Sequence, residues 1–145
     1  MIKMVIVDDF AETAESLFML YKLRNEAKIV GIAQNSEQLR HILQNNEVNF
    51  VSLDIQLGHE NGLELCRVLR ETYPDLFIVM CSVEVTIENK RLATKAGANH
   101  FLEKPITMKD VSETLQMYLD YKKGTNEVIS PLTSANIDEL FDGLK

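Results

Sequence analysis

The sequence has little of what would attach a protein to nucleic acid or to a membrane. It contains no dense run of Lys or Arg, and its formal net charge of -7 argues against direct binding of nucleic acid or anionic lipid. No apolar stretch approaches the length of a membrane span, and the start of the chain lacks the succession of a signal peptide. We therefore expect a soluble, cytoplasmic protein whose direct partners are proteins or small ions.

Cysteine is also scarce, because Cys66 and Cys81 are the only two in the chain. One falls in a predicted helix and the other in a predicted buried strand, and their separation does not match a metal site. We expect both to be small core residues that stay reduced in a cytosol, without a disulfide.

Five apolar, β-prone runs alternate with segments of helical periodicity. The runs show little polar alternation, which is typical of buried parallel strands. This alternation predicts right-handed crossovers and an α/β fold, a three-layer α/β/α sandwich around a five-stranded parallel sheet. The runs are Met4 to Val7, Ile29 to Ala33, Phe50 to Leu53, Leu76 to Cys81 and His100 to Leu102.

The length of 145 residues and the hydrophobic content of 46% suit one domain with a proper core. The last helix of the domain is predicted over Met108 to Lys122, and the composition then turns polar. We expect the domain to cover residues 1–123 and a linker with a short amphipathic C-terminal helix to cover residues 124–145. The apolar stripe of that helix must be buried on the domain itself or on a second copy, as in a homodimer, or the helix frays.

Polar side chains follow four of the five predicted strands. The carboxyl ends of parallel strands meet at one edge of the sheet, where open α/β sheets bind their ligands. Three carboxylates gathered there repel one another and favour a hard divalent cation such as Mg²⁺, while a nearby ammonium implies a further anion. The pattern predicts phosphoryl chemistry on a carboxylate, with Asp8, Asp9, Asp54, Ser82 and Lys104 as the site residues.

The order and spacing of these residues resemble those of a response-regulator receiver domain, the CheY-like family of two-component signalling. The resemblance covers about Met1 to Lys123 and implies the doubly wound strand order 2-1-3-4-5. It implies that Asp54 is the phosphoacceptor. It also implies a Mg²⁺ site, with Mn²⁺ as an alternative ion, formed by Asp8, Asp9, Asp54 and the backbone carbonyl of Gln56.

The resemblance assigns three further roles. Ser82 is the switch hydroxyl, and Lys104 pairs with the phosphoryl group or with the unphosphorylated carboxylate, next to a Lys104-Pro105 peptide bond that the family typically has in the cis form. Phe101 is the candidate switch aromatic, with plain core packing as the alternative.

The sequence departs from the family pattern at the rim of the predicted site. Gly58 stands where the family has Pro, and Val83 stands where it favours Ala or Gly, so that a branched side chain narrows access to Asp54. Gln56 and Glu84 occupy the positions that flank the hydrolytic water. A long amide and a carboxylate there predict slow self-dephosphorylation.

The resemblance implies a signalling switch rather than an enzyme. A sensor histidine kinase or a phosphotransfer protein phosphorylates Asp54, and the face built from the fourth helix, the fifth strand and the fifth helix then controls a downstream protein. One alternative is a phosphatase that uses an aspartyl phosphate, but it needs a second Asp at the position of Gln56. A flavodoxin-like FMN site is disfavoured because Asp8 and Asp9 repel phosphate. A receiver-shaped interaction module that no longer accepts phosphate stays open.

Overall fold

A computed structural model of the protein describes residues 1–129. The chain divides into two compact units, Met1–Val111 and Ser112–Lys145. The first unit contains the strands and the first four helices, and the described part of the second is the remainder of the fifth helix. The amphipathic helix predicted near the C-terminus lies outside the described residues, and the domain boundary at residue 123 stays a prediction.

Seven strands and five helices form within residues 1–129. The strands are β1 Ile2–Val7, β2 Ala27–Ala33, β3 Phe50–Asp54, β4 Gln56–Leu57, β5 Glu60–Asn61, β6 Phe77–Ser82 and β7 His100–Glu103. The helices are α1 Ala11–Lys22, α2 Ser36–Asn45, α3 Gly62–Thr72, α4 Ile87–Ala96 and α5 Met108–Ile129.

The five longer strands form one parallel sheet in the order β2-β1-β3-β6-β7. This arrangement confirms the predicted order 2-1-3-4-5, counted over the strands of that sheet. Val7 is level with Leu53 in the register, and Asp54 is level with Cys81. The strands therefore end close to one line across the sheet.

Helices cover both faces of the sheet, as the predicted sandwich requires. On one face the strands pack against α2, α3 and α4 in a cluster that includes Val51, Leu53, Leu39, Cys66 and Ala93. On the other face Tyr21 of α1 packs edge-on against Phe50 of β3, with ring centroids 5.9 Å apart. Neighbouring residues of β3 thus point to opposite layers, as the period of a strand dictates.

Both cysteines are core residues, as the sequence predicted. Cys66 on α3 and Cys81 on β6 are free thiols with at most 1% of their surface exposed. Burial raises the pKa of the Cys66 thiol and of the Cys81 thiol to about 11. Neither thiol is therefore ionised, or nucleophilic, near neutral pH.

Strands β4 and β5 form a small antiparallel hairpin directly after β3, which the sequence did not predict. Its two-residue loop begins at Gly58, whose φ of 60° lies in the left-handed region, whereas the following residue has a negative φ. A positive φ at the first loop residue alone is the pattern of a type II′ turn, which favours glycine there. The proline that the family has at this position cannot adopt that φ.

Helix α5 is the longest helix among the described residues. The sequence predicted its end near Lys122, but the helix continues through Gly124 to Ile129. A glycine inside a helix costs only about 1 kcal/mol relative to alanine, so it need not end the helix. No helix within residues 1–129 combines the length and the apolar character needed to cross a membrane.

The Arg70 side chain joins the end of α3 to the end of α4. Its Nε and Nη2 donate to the carbonyl oxygen of Gly97 at 3.0 and 2.8 Å, and Nη2 also donates to Asn99 Oδ1 at 2.7 Å. Gly97 is the C-cap of α4, with a φ of 105°. Asn99 Oδ1 also accepts from the backbone N–H of Ile78, so one guanidinium organises the start of β6 as well.

We expect Arg70→Ala to lower the free energy of unfolding by about 2 to 3 kcal/mol, because it leaves the carbonyl of Gly97 without its charged donor. Urea unfolding measures the change. Arg67→Ala is the matched control, since Arg67 lies one turn away on the same helix and bonds only to the exposed Glu64 and Glu71 among the described residues. Equal shifts of the urea midpoint in the two variants would contradict the role of Arg70.

Candidate functional site

The polar residues that end the strands meet at one edge of the sheet. Asp8 follows β1, Asp54 ends β3, Ser82 ends β6 and Lys104 follows β7. Carboxylate oxygens of Asp8, Asp9 and Asp54 lie within 4.8 Å of one another. The structure therefore brings together the five residues that the sequence selected.

Lys104 bridges two of the three carboxylates. Its Nζ lies 2.7 Å from Asp54 Oδ2 and 2.9 Å from Asp8 Oδ2. The exposed fractions of the Lys104, Asp54 and Asp8 side chains are 11%, 13% and 1%, so these ion pairs are largely desolvated. The Lys104-Pro105 peptide bond is cis, as the resemblance implied.

The remaining oxygens of the two buried acids accept hydrogen bonds from the backbone. Asp8 Oδ1 accepts from the N–H of Phe10 at 2.9 Å, and Asp54 Oδ1 accepts from the N–H of Gln56 at 3.1 Å. Each carboxylate bonds to a backbone amide two residues ahead, an arrangement that Asp adopts readily at the ends of strands. Both acids are thus oriented on two sides, whereas Asp9 is exposed.

Burial and charge act in opposite directions on the ion pair. Burial raises the pKa of the Asp54 carboxyl, and the nearby charge of Asp8 adds to that rise, while the hydrogen bond from Lys104 opposes it. Burial works against the charged form of Lys104, but hydrogen bonds to Asp54 and Asp8 outweigh it and raise the pKa of the ammonium. Lys104 is therefore a permanent cation at neutral pH.

The acidic cluster fits a hard divalent cation. Its donors are carboxylate oxygens, the ligands that Mg²⁺ and Ca²⁺ prefer. When Asp8, Asp9 and Asp54 are ionised, one Lys104 ammonium leaves two of their three negative charges uncompensated. Gln56 lies next to the cluster on β4, although the part assigned to its backbone carbonyl stays a prediction.

An open cleft of about 410 Å³ lies over Asp54. The sequence had not identified Phe10 or Thr13 as part of the cleft, whereas it had placed Gly58 at the rim of the predicted site. Phe10 lies just before α1 and Thr13 lies in its first turn. Their place in the cleft could have been predicted, because this helix begins directly after the acidic residues that follow β1. The cleft is lined by Asp9, Phe10, Thr13, Asp54, Gln56, Gly58, Ser82, Val83 and Lys104.

Ser82 is placed to donate a hydrogen bond into this cleft. Its Oγ accepts from the backbone N–H of Glu84 at 3.1 Å, and its carbonyl oxygen accepts from the N–H of Lys104 at 2.9 Å. A hydroxyl that accepts from one group still has its own proton to donate. Glu84 thus contacts Ser82 through its backbone, and its side chain is not among the groups that line the cleft.

Phe101 lies away from the cleft. It is partly buried and packs against the apolar cluster shared by α2, α3 and α4. This placement agrees with core packing, the alternative considered for it, and its role as a switch aromatic stays a prediction.

Comparison with known proteins identifies the family. The family model of the response regulator receiver domain matches residues 4–116. The chain belongs to this family. The match confirms the resemblance found in the sequence and makes the chain a receiver domain of the kind that serves two-component systems.

Curated relatives of this receiver domain are response regulators and transcriptional regulatory proteins. The transcriptional regulatory protein CitT of Bacillus subtilis (strain 168) is 27% identical over 148 residues, which cover 100% of this chain and 64% of CitT. The response regulator MprA of Mycobacterium sp. (strain KMS) is 27% identical over 118 residues, which cover 81% of this chain and 50% of MprA. The chain therefore spans between half and two thirds of the length of these relatives.

Solved receiver structures share the fold. A CheY-like receiver domain protein from Methanospirillum hungatei JF-1 superposes with a TM-score of 0.76 at 21% identity, over 86% of this chain and 98% of that one. A response regulator from Burkholderia pseudomallei, described with a phosphorylated aspartic acid, a calcium ion and citrate, gives 0.71 at 22% identity, over 92% of this chain and 77% of that one. These likenesses confirm the fold.

The clustered acids also lead to a prediction about stability. Asp9→Asn removes one of three neighbouring like charges, so in metal-free buffer of low ionic strength it should raise the free energy of unfolding by about 0.5 to 1 kcal/mol. Urea unfolding at low and high salt measures the gain, which should shrink as salt screens the repulsion. Asp75→Asn, at an exposed acid between α3 and β6, is the control and should give no such gain. A less stable Asp9→Asn variant would contradict the repulsion argument.

Proposed function

We propose that this receiver domain is a phosphorylation switch in which Asp54 accepts a phosphoryl group from a sensor histidine kinase or a phosphotransfer protein. The observation that carries the proposal is the partly buried Asp54 carboxylate, held 2.7 Å from the Lys104 ammonium and beside two further acids. A carboxylate fixed in this way is an oriented nucleophile that opens into a cleft.

The transfer forms one bond and breaks another. An oxygen of Asp54 attacks the phosphorus of a phosphohistidine, an O–P bond forms as the N–P bond breaks, and the electron pair of that bond stays on the imidazole nitrogen. Lys104 balances the charge on the phosphoryl oxygens and on the acids beside them. Asp8, Asp9 and Asp54 would hold a Mg²⁺ or Mn²⁺ ion, with the carbonyl of Gln56 as a further ligand, and such an ion would supply positive charge to neutralise the transferred group.

Ser82 would transmit the change to the surface. Its free hydroxyl proton can be donated to a new phosphoryl oxygen, and only the segment 83–86 separates Ser82 from the first residue of α4. That first residue, Ile87, is 89% exposed. Movement of Ser82 therefore acts directly on α4, next to β7, where the proposal places the surface that binds a downstream protein.

Two further observations support the switch over the alternatives. A fold relative from Burkholderia pseudomallei is described with a phosphorylated aspartic acid and a calcium ion. Gln56 supplies an amide where an aspartyl-phosphate phosphatase needs a second acid, and an amide cannot serve as a general acid or base. The intact acidic cluster disfavours an interaction module that does not accept phosphate.

We expect Asp54→Asn to abolish phosphorylation, because an amide is not a nucleophile towards phosphorus. Intact-mass measurement after treatment with acetyl phosphate and Mg²⁺ detects the added phosphoryl group. Ser82→Ala is the matched control and should still gain mass, since Ser82 responds to the phosphoryl group and does not accept it. A variant with Asn at position 54 that gains the same mass as the wild type would refute the assignment of Asp54. Full labelling of the wild type in excess EDTA would refute the proposed dependence on a metal ion.

Val83 should limit the approach of small phosphodonors to Asp54. Its branched side chain is 69% exposed and lines the cleft together with Asp54 and Lys104. We expect Val83→Ala to accelerate phosphorylation by acetyl phosphate severalfold, measured as the initial rate of mass gain. Val68→Ala, at a half-exposed valine of α3 that does not line the cleft, should leave the rate unchanged. An unchanged or slower rate in Val83→Ala would remove Val83 as a barrier.

Gln56 should slow the loss of the phosphoryl group once it is in place. Of the two residues expected to hinder the hydrolytic water, Gln56 lines the cleft and Glu84 does not. The expectation of slow self-dephosphorylation therefore depends mainly on Gln56.

A further inference from the structure

The hairpin that follows the acceptor is fastened to a distant helix by one carboxylate. Glu60 on β5 accepts a hydrogen bond from the backbone N–H of Ser36 at 2.9 Å, and its other oxygen accepts from Ser36 Oγ. Ser36 is the first residue of α2, and the two residues are 24 positions apart in the chain. The contact is therefore tertiary and not a local turn.

Glu60 is suited to this place by charge as well as by hydrogen bonds. The first N–H groups of a helix have no partner within the helix, and the helix dipole favours an anion beside them. The hydrogen bonds from Ser36 lower the pKa of the Glu60 carboxyl, so it is ionised at neutral pH. Asn35, the N-cap of α2, bonds instead to the N–H of Gln38, which leaves the N–H of Ser36 to Glu60.

The hairpin held by Glu60 carries groups of the candidate site. Glu60 lies opposite Leu57 in the ladder, and the next pair is Asn61 with Gln56. The N–H of Gln56 donates to Asp54 Oδ1. Gly58, at the tip of the hairpin, is so close to Asp9 that a Cβ there would lie 3.6 Å from Asp9 Oδ2.

Glu60 supplements two other attachments of the hairpin. Leu57 is buried in the cluster that α2, α3 and α4 share, and Asn61 caps α3 by accepting from the N–H of Leu63 at 2.9 Å. Leu57 anchors the first strand of the hairpin beside its loop, and Asn61 anchors its exit. Among the described contacts, Glu60 is the one that joins it to the N-terminus of α2.

We propose that Glu60 is a positioning residue for the acceptor site, holding the hairpin so that Gln56 and Gly58 stay in place beside Asp54 and Asp9. This inference rests on the proposed function, because the property that it improves is the affinity of that site for a divalent cation. Partners that orient metal ligands typically contribute 10- to 100-fold to metal affinity. In a Glu60 variant, the buried Leu57 still attaches the hairpin to the core. We therefore expect an effect of about tenfold for Glu60, the lower end of that range.

The test compares three variants of the full chain. Glu60→Ala removes both hydrogen bonds. Glu60→Gln keeps them, because its carbonyl can accept from the Ser36 N–H and its amide can donate to Ser36 Oγ. Glu37→Ala is the matched control, since Glu37 lies next to Ser36 in the same turn of α2 and pairs with Arg40.

Two measurements are made on each variant. Isothermal titration with MgCl₂ gives the affinity of the unphosphorylated protein, and amide hydrogen exchange in EDTA reports the opening of residues 56–61 without metal. Glu60→Ala should bind Mg²⁺ about tenfold more weakly and exchange faster over residues 56–61. Glu60→Gln should restore both properties, and Glu37→Ala should match the wild type.

Each outcome decides the matter. Wild-type affinity in Glu60→Ala would overturn the inference, and so would a loss that Glu37→Ala reproduces. If Glu60 did no more than cap α2, Glu60→Ala would bind Mg²⁺ as tightly as the wild type, which is the contradicting result. If the wild type itself binds no Mg²⁺, the proposed metal site is wrong. Hydrogen exchange alone then tests whether Glu60 holds the hairpin, and unchanged protection of residues 56–61 in Glu60→Ala would refute that role.

Discussion

The ammonium of Lys104 allows two carboxylates to be buried side by side. Without a cation between them, Asp8 and Asp54 would repel each other in a place that water hardly reaches, and one of them would take up a proton. Lys104 directly follows β7, Asp8 directly follows β1 and Asp54 ends β3, so the bridge forms only when β1, β3, β6 and β7 have paired. Fold and site therefore depend on the same pairing of strands.

Two groups at this bridge, the Asp54 carboxylate and the Ser82 hydroxyl, can still interact with a ligand. Asp54 has one oxygen on Lys104 and the other on a backbone amide, which fixes its direction without covering its open side. The Ser82 hydroxyl accepts from a backbone amide in this contact, so its own proton can still be donated to another group. The site is thus a set of oriented side chains with excess negative charge, an arrangement that fits a further cation.

The strand ends were predictable because continuous apolar runs stop at polar residues, and this pattern needs no tertiary information. Strand starts were harder to predict, because Lys3 and Lys28 interrupt the apolar runs. In the structure β1 begins at Ile2 and β2 at Ala27, and the two lysines pair with each other in the sheet. The β4–β5 hairpin has strands of two residues, too short for any periodicity. The contact between Glu60 and Ser36 was equally invisible, because a hydrogen bond between residues far apart in the chain leaves no local pattern.

The alternation of β3 between two packed layers restricts how this chain can change in length. Val51 and Leu53 point into one layer and Phe50 points into the other. Asp54 directly follows Leu53 at the end of the strand. A single inserted or deleted residue within the strand would exchange the two sets and turn Asp54 away from Lys104. Length variation between relatives should therefore fall in connections such as residues 46–49, because a gap inside β3 would displace the position of Asp54.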